Sequence, residues 1–232
     1  MAPRPTPLQA LNARIVACRR CPRLLDHCAR VAQVRKRAWA EFEYWAKPVP
    51  SFGDEQAGVL VLGLAPGAHG SNRTGRIFTG DGSGAFLYPV LHETGFASQP
   101  TTVSRNDGMK LTGVWISAVV RCAPPANKPT LEEQRNCAPW LDGEIELLKN
   151  LRLVVCLGRI AFDGFLAHAR GTGMVPSRSG LAFAHGAEFT LAGGLKIIAS
   201  YHPSQQNTNT GKLTRAMFLR IFQRARVLAE LD

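Results

Sequence analysis

The chain has 232 residues, of which 45% are hydrophobic and 19% charged, and a formal net charge of +11. These fractions belong to a globular protein and exclude a mostly disordered chain. No apolar run reaches the ~18 residues of a membrane span, and the opening Met1-Ala-Pro-Arg-Pro-Thr-Pro7 lacks the apolar centre of a secretory signal. The expectation is a cytoplasmic protein. The charge is uneven: residues 1–50 hold 10 Lys or Arg against 3 Asp or Glu, and residues 51–200 hold 13 against 12. Residues 201–232 hold 5 against 2. Basic ends around a nearly neutral middle suit a polyanion laid across a surface built from both termini. Solubility charge with Arg-rich codon usage gives the same count.

In chain order, residues 8–33 read as helical with a break at Pro22, and residues 34–46 as helical again, with Trp39, Phe42 and Trp45 at helical spacing. Gly58–Leu64 is a short continuous apolar run and reads as a buried strand. Residues 82–94 read as a helix and Val114–Val120 as a second strand. Thr130-Leu-Glu-Glu133 is a capping-box pattern that opens a helix running to about Asn150. Leu153–Leu157 is a third strand, with a helix near 159–169. Residues 170–187 read as a Gly-rich loop, Leu195–Ser200 as a fourth strand and 212–230 as a basic closing helix. Strands alternating with helices predict an α/β fold with a parallel sheet covered on both faces. No repeat or linker divides the chain, so the expectation is one domain, 1–232, with a basic N-terminal extension over residues 1–50.

Six cysteines are present, Cys18, Cys21, Cys28, Cys122, Cys137 and Cys156. Cys18-Arg-Arg-Cys21 is a C-x2-C pair, and Cys122 and Cys137 are each followed closely by Pro. Thiolates from one close pair and two distant singles suit either Zn or a [4Fe-4S] cluster. A redox pair or packed thiols is the plainer alternative. Cys156 lies in an apolar strand and Cys28 lacks a nearby partner, so both read as core thiols.

Function in such folds gathers in loops at the carboxyl ends of strands. Three loops here are rich: Gly63–Gly84, Arg121–Thr130 and Ser200–Lys212. Neither the dinucleotide fingerprint nor a Walker A loop is met, because Gly63, Gly67, Gly70 and Gly75 have the wrong spacing and Gly211-Lys212 is followed by Leu213.

Four segments carry a resemblance: Gly63-Leu-Ala-Pro-Gly-Ala-His-Gly70, Thr74-Gly-Arg-Ile-Phe-Thr-Gly-Asp81, Arg121-Cys-Ala-Pro-Pro-Ala-Asn-Lys-Pro-Thr130, and His202-Pro-Ser204 with Asn207-Thr-Asn-Thr-Gly211. Together with the cysteine spacing they resemble the uracil-DNA glycosylase superfamily, most closely its iron–sulfur family 5, over roughly residues 14–225. The resemblance implies a three-layer αβα sandwich around a four-stranded parallel sheet. It also implies a [4Fe-4S] cluster on Cys18, Cys21, Cys122 and Cys137, and excision of uracil and other deaminated bases, such as hypoxanthine, from DNA. The partner would be DNA carrying such bases, bound by a monomer.

The implied reaction is hydrolysis of an N-glycosidic bond with the base turned out of the stack. His202 is the candidate donor to the departing base, against a packed turn histidine. Asp81 is the candidate to position water or stabilise the cationic sugar, against a helix cap. Asn127 would hold the water or read the base edge, against a turn Asn bonded to its own backbone. Phe78 would stack on the base, and Gly63, Ala65, Gly67 and Ala68 would let the backbone approach it closely. Ser204, Asn207 and Asn209 would meet DNA, as would Arg73, Arg76, Arg121 and Lys212. Leu64 replaces the polar side chain of sister families, Ser117 lies near their base-pairing Asn, and Ile77 stands where the family pattern has Pro. Base selection should therefore be loose. No central lysine is available as a Schiff-base nucleophile, so no strand cleavage is expected.

Overall fold

Five-residue apolar runs form the middle of the molecule because both of their faces are covered. The computed structural model describes residues 4–231, and residues 1–3 of the expected N-terminal extension lie outside that description. The chain begins with α1 (Pro7–Val16) and α2 (Pro22–Val34), separated by the turn that carries Cys18 and Cys21. Thr6 and Gln9 form a capping box for α1, and each helix has Pro in its first turn, where a missing N–H costs nothing. Next come β1 (Phe52–Gly53), β2 (Val59–Gly63), α3 (Ser71–Thr74), α4 (Gly82–Glu93) and β3 (Val114–Ala118). The second half holds α5 (Leu131–Leu147), β4 (Leu153–Leu157), α6 (Arg159–Gly171), β5 (Glu188–Thr190), β6 (Lys196–Ser200), α7 (Gln205–Asn209) and α8 (Arg215–Leu228).

The sheet order is β1-β3-β2-β4-β6-β5. The four central strands are parallel, as expected, and β1 and β5 add short antiparallel edges. The sheet is therefore mixed and six-stranded, built on the expected four-stranded parallel core. Leu60, Leu62, Val154, Cys156 and Ile197 point into one core beneath α1, α2, α5 and α6. Val59, Val61, Leu153, Val155 and Ile198 point into the other, beneath α4 and α8. This alternation makes the three-layer sandwich. Leu8, Leu11, Ile15 and Leu24 are buried in the first core, so the basic N-terminal segment completes a layer.

Residues 37–46 do not form the expected helix. Only Arg37–Trp39 makes a 3-10 turn. Trp39 and Phe42 instead pack about the Arg73 guanidinium, at 3.9 and 5.1 Å from their ring centroids. Tertiary contact outweighs local spacing here. From β2 the chain crosses first to β3 on one side and later to β4 on the other. This reversal leaves a crevice beyond the strands' carboxyl ends.

Candidate active site

A cavity of about 780 Å³ opens in that crevice. Gly63, Leu64, Ala65, Gly67 and Ala68 line it from the loop after β2, with Phe78 and Asp81 from the same loop. Ala118 ends β3, Asn127 comes from the following loop, and His202 and Ser204 from the loop after β6. The three rich loops converge as expected, and the volume falls in the range of small-molecule pockets.

Asp81 does two things at once. As the N-cap of α4, its Oδ1 accepts a hydrogen bond from the Gly84 N–H at 3.0 Å. Its Oδ2 points the other way, toward Gly67 and Gly70. A Cβ on Gly70 would sit 2.0 Å from Oδ2, and one on Gly67 2.8 Å from it. These two glycines make room for a carboxylate oxygen, so Gly67 serves Asp81 as well as the cavity wall. Burial pushes the Asp81 carboxyl above its usual range, and the N–H groups of Gly84 and Ser83 and the charge of Arg73 partly offset that.

Phe78 lies in the left-handed region at φ 53° and is held there by close packing. Its ring lies over Gly63, where a Cβ would come within 2.8 Å of it, and its carbonyl lies so near Gly84 that a Cβ there would meet it at 1.8 Å. His202 faces Phe78, with ring centroids 6.0 Å apart and 34° between the planes. Gly158, at φ 96°, lets the chain pass behind His202. Burial lowers the His202 pKa to about 4, so the imidazole is neutral near pH 7. Asn207 Nδ2 donates to the His202 carbonyl at 2.8 Å. One of its amide N–H groups thus holds the turn, and the other and Oδ1 remain for DNA.

Asn127 is exposed at the cavity edge, in a 3-10 turn where both it and Ala126 have positive φ. Ser204 is half-buried on the rim, and Asn209 is exposed on α7. Lys212 is exposed, with Nζ 5.0 Å from the Tyr201 ring centroid. The arginines differ from expectation. Arg73 is buried and donates to the carbonyls of His69 and Gly80 at 2.9 Å each. Arg76 is 3% exposed and donates to Thr79 at 2.9 Å and to Thr102 and Asp107 at 2.6 Å each. Burial alone would raise the Asp107 carboxyl. The Arg76 bond and the N–H groups of Val103, Met109 and Ser104 outweigh it and hold the carboxyl down to about 2. Arg121 is 1% exposed and pairs with Glu144 at 2.5 Å. These three arginines brace the loops from inside and do not present a phosphate-binding surface. Ser117 also turns inward and donates to Glu144 at 2.7 Å, so it is not at the base-pairing position.

The cavity also takes in His69, Lys36, Trp39, Gln205 and Gln206, which sequence reasoning passed over. The basic run Arg35-Lys36-Arg37 beside Trp39 was the available signal. His69 Nδ1 pairs with the Tyr44 hydroxyl at 3.0 Å.

Cys18, Cys21, Cys122 and Cys137, far apart in sequence, come close enough for their charges to interact. The Arg121 N–H donates to Cys137 Sγ at 3.4 Å and Asn136 Nδ2 to Cys21 Sγ at 3.8 Å. Burial pushes the Cys137 thiol up to about 11. Cys28 does have partners, contrary to expectation: its thiol donates to the Ala123 carbonyl at 3.7 Å and lies beside that of Cys122. All six cysteines are free. Among the described residues, no three His, Cys, Asp or Glu side chains close around a point suited to a single metal ion. No helix among them is long and apolar enough to cross a membrane.

An αβα sandwich with its crevice filled by these loops defines a family, and comparison with known proteins agrees. Residues 50–226 match the description of the uracil DNA glycosylase superfamily, and the chain belongs to that superfamily. Within it the chain falls with the type-5 branch. It is 53% identical over 223 residues to the type-5 uracil-DNA glycosylase of Thermus thermophilus, covering 96% of this chain and 99% of that one. It is 43% identical over 212 residues to the type-5 enzyme of Pyrobaculum aerophilum, covering 91% and 89%. A type-4 uracil-DNA glycosylase of Thermotoga maritima is more distant, at 29% over 175 residues, covering 75% and 79%.

Proposed function

We propose that the protein is a monofunctional DNA glycosylase that removes uracil, and other deaminated bases such as hypoxanthine, from DNA in base excision repair. One observation carries the reading: Asp81 caps α4 with one oxygen and keeps the other in a glycine-lined recess, in the same cavity as a neutral His202 and the ring of Phe78.

The base is turned out of the stack into the cavity and rests on Phe78. As the N-glycosidic bond stretches, negative charge grows on the base and positive charge on the sugar. The neutral His202 donates a hydrogen bond to the base oxygen, and no full proton transfer is required. The Asp81 carboxylate stabilises the sugar cation or orients the attacking water. Asn127 has a free amide at the edge and holds that water. Backbone, Ala65, Ala68 and Ile77 make up much of the wall, and Ser117 is committed to Glu144. With Leu64, Ala65 and Ala68 on the first loop and Ser117 turned away, the base meets apolar side chains and backbone there, which supports a substrate range wider than uracil. The type-5 relatives are named for uracil in DNA.

Cys18, Cys21, Cys122 and Cys137 would hold a [4Fe-4S] cluster that ties the α1–α2 turn to α5 and to the loop of Asn127. Four thiols, with N–H groups aimed at two of them, suit that cofactor. Iron and sulfide analysis with the absorbance near about 400 nm tests the assignment. Zinc in place of iron refutes it.

Oligonucleotides carrying a single uracil or hypoxanthine test the activity. Free base and an intact strand that breaks only on heating in alkali are expected. Release of no base, or nicking without alkali, refutes the reading.

A further inference from the structure

His202 follows directly on β6, and something must set the direction in which it leaves the sheet. On one side Asn207 holds its carbonyl. On the other side stands His185, in the turn before β5. The backbone N–H of Tyr201 points at Nδ1 of His185 at 3.2 Å. A backbone N–H can only donate, so Nδ1 must carry a lone pair. The proton of the neutral ring is then on Nε2, and Met217 on α8 lies beside the ring. The imidazole stacks on the Tyr201 ring, centroids 5.0 Å apart and 27° between planes. Its own strand is stitched to β6 by the Gly186 N–H to the Ala199 carbonyl at 2.7 Å and the Ala199 N–H to the Ala187 carbonyl at 2.9 Å. His185 is thus fixed to the sheet on one side and to the catalytic turn on the other.

We propose that His185 is a positioning residue: its neutral ring, accepting from the Tyr201 N–H, aims His202 into the cavity. The inference rests on the glycosylase reading for its kinetic consequence, and on the geometry alone for its tautomer. A proton on Nδ1 would face the Tyr201 N–H and release the turn, so the clamp opens in acid. The charged groups around the ring are Arg220 and Arg224 on α8 and Glu188 on β5, which Arg224 pairs at 2.8 Å. Burial and the charge of Arg220 favour the neutral ring.

The test is single-turnover uracil excision by His185→Ala and His185→Asn between about pH 5 and 8. His185→Ala is expected to lose about ten- to a hundredfold in the single-turnover rate constant, with the half-saturating enzyme concentration within about twofold. His185→Asn offers an amide oxygen to the same N–H. It is expected to recover to within about threefold of wild type and to lose the acid decline contributed by His185. A wild-type single-turnover rate constant in His185→Ala, or an unchanged acid decline in His185→Asn, overturns the proposal. Imidazole nitrogen shifts in the wild-type protein read the tautomer without any activity. The expected form carries its proton on Nε2, and an Nδ1-protonated ring overturns the proposal even if His185→Ala fails to fold. Absent uracil release by the wild type, with the Nε2 tautomer in place, would count against the glycosylase reading and not against the clamp.

Discussion

Gly70 and Asp81 fit together as recess and occupant: a Cβ on Gly70 would lie 2.0 Å from Oδ2 of Asp81 and 2.6 Å from its Cγ. Gly70 lies at φ −99° and ψ −99°, outside the regions a residue with a Cβ favours, so alanine there strains the backbone as well. The added Cβ also meets the carboxylate, which must swing away and give up its bond to the Gly84 N–H.

Gly70→Ala should therefore lower the uracil excision rate by about a hundredfold, through a displaced carboxylate. The lost cap and the strained backbone should together cost about 2 kcal/mol or more in urea unfolding. Gly171→Ala at the end of α6 is the control, since a Cβ there meets nothing within 4 Å. It should leave the rate at wild type. Equal rates for the two variants would contradict the recess.

His202 makes stability depend on pH in a stated direction. Its folded pKa, about 4, lies below the ordinary value of 6.5. Between these values the unfolded chain binds more protons, so stability is complete above about pH 6.5 and falls as pH drops toward 4. The contribution is up to about 3 kcal/mol. Urea unfolding of wild type and His202→Ala at both ends of this window checks it. The wild type should lose more stability than the variant on acidification, and parallel losses would contradict a buried neutral ring.

Arg76 separates bracing from DNA contact. Its guanidinium is closed off by Asp107, Thr79 and Thr102. Arg76→Ala should destabilise folding by about 2 kcal/mol, because it removes the charge partner of Asp107 and leaves that carboxylate to three backbone N–H groups. The slope of log affinity for DNA against log salt should stay at the wild-type value in folded protein. A slope shallower by about 1 would instead mark Arg76 as a phosphate contact.

The central strands were readable because burial on both faces makes them unbroken apolar runs. β1 and β5, of two and three residues, carry no such pattern. The loops after β2, β3 and β6 announced themselves by composition, and the structure brings Asp81, Asn127 and His202 to one cavity. What sequence spacing concealed were partners far along the chain. Asp107 is 31 residues from Arg76, and Ala123 is 95 from Cys28. An arginine counted as surface charge became an internal brace. Trp39, Phe42 and Trp45 showed helical spacing, yet they answer to Arg73 and to Gly75, where a Cβ would touch the Trp45 ring at 2.8 Å.

The dual role of Asp81 is tested most directly by single-turnover uracil release from Asp81→Asn. Asparagine keeps an oxygen for the Gly84 N–H, so stability should stay within about 0.5 kcal/mol of wild type. The negative charge is lost, so the rate should fall by about a hundredfold or more. A fully folded Asp81→Asn protein that releases uracil within about threefold of the wild-type rate would show that Asp81 is a helix cap and no more.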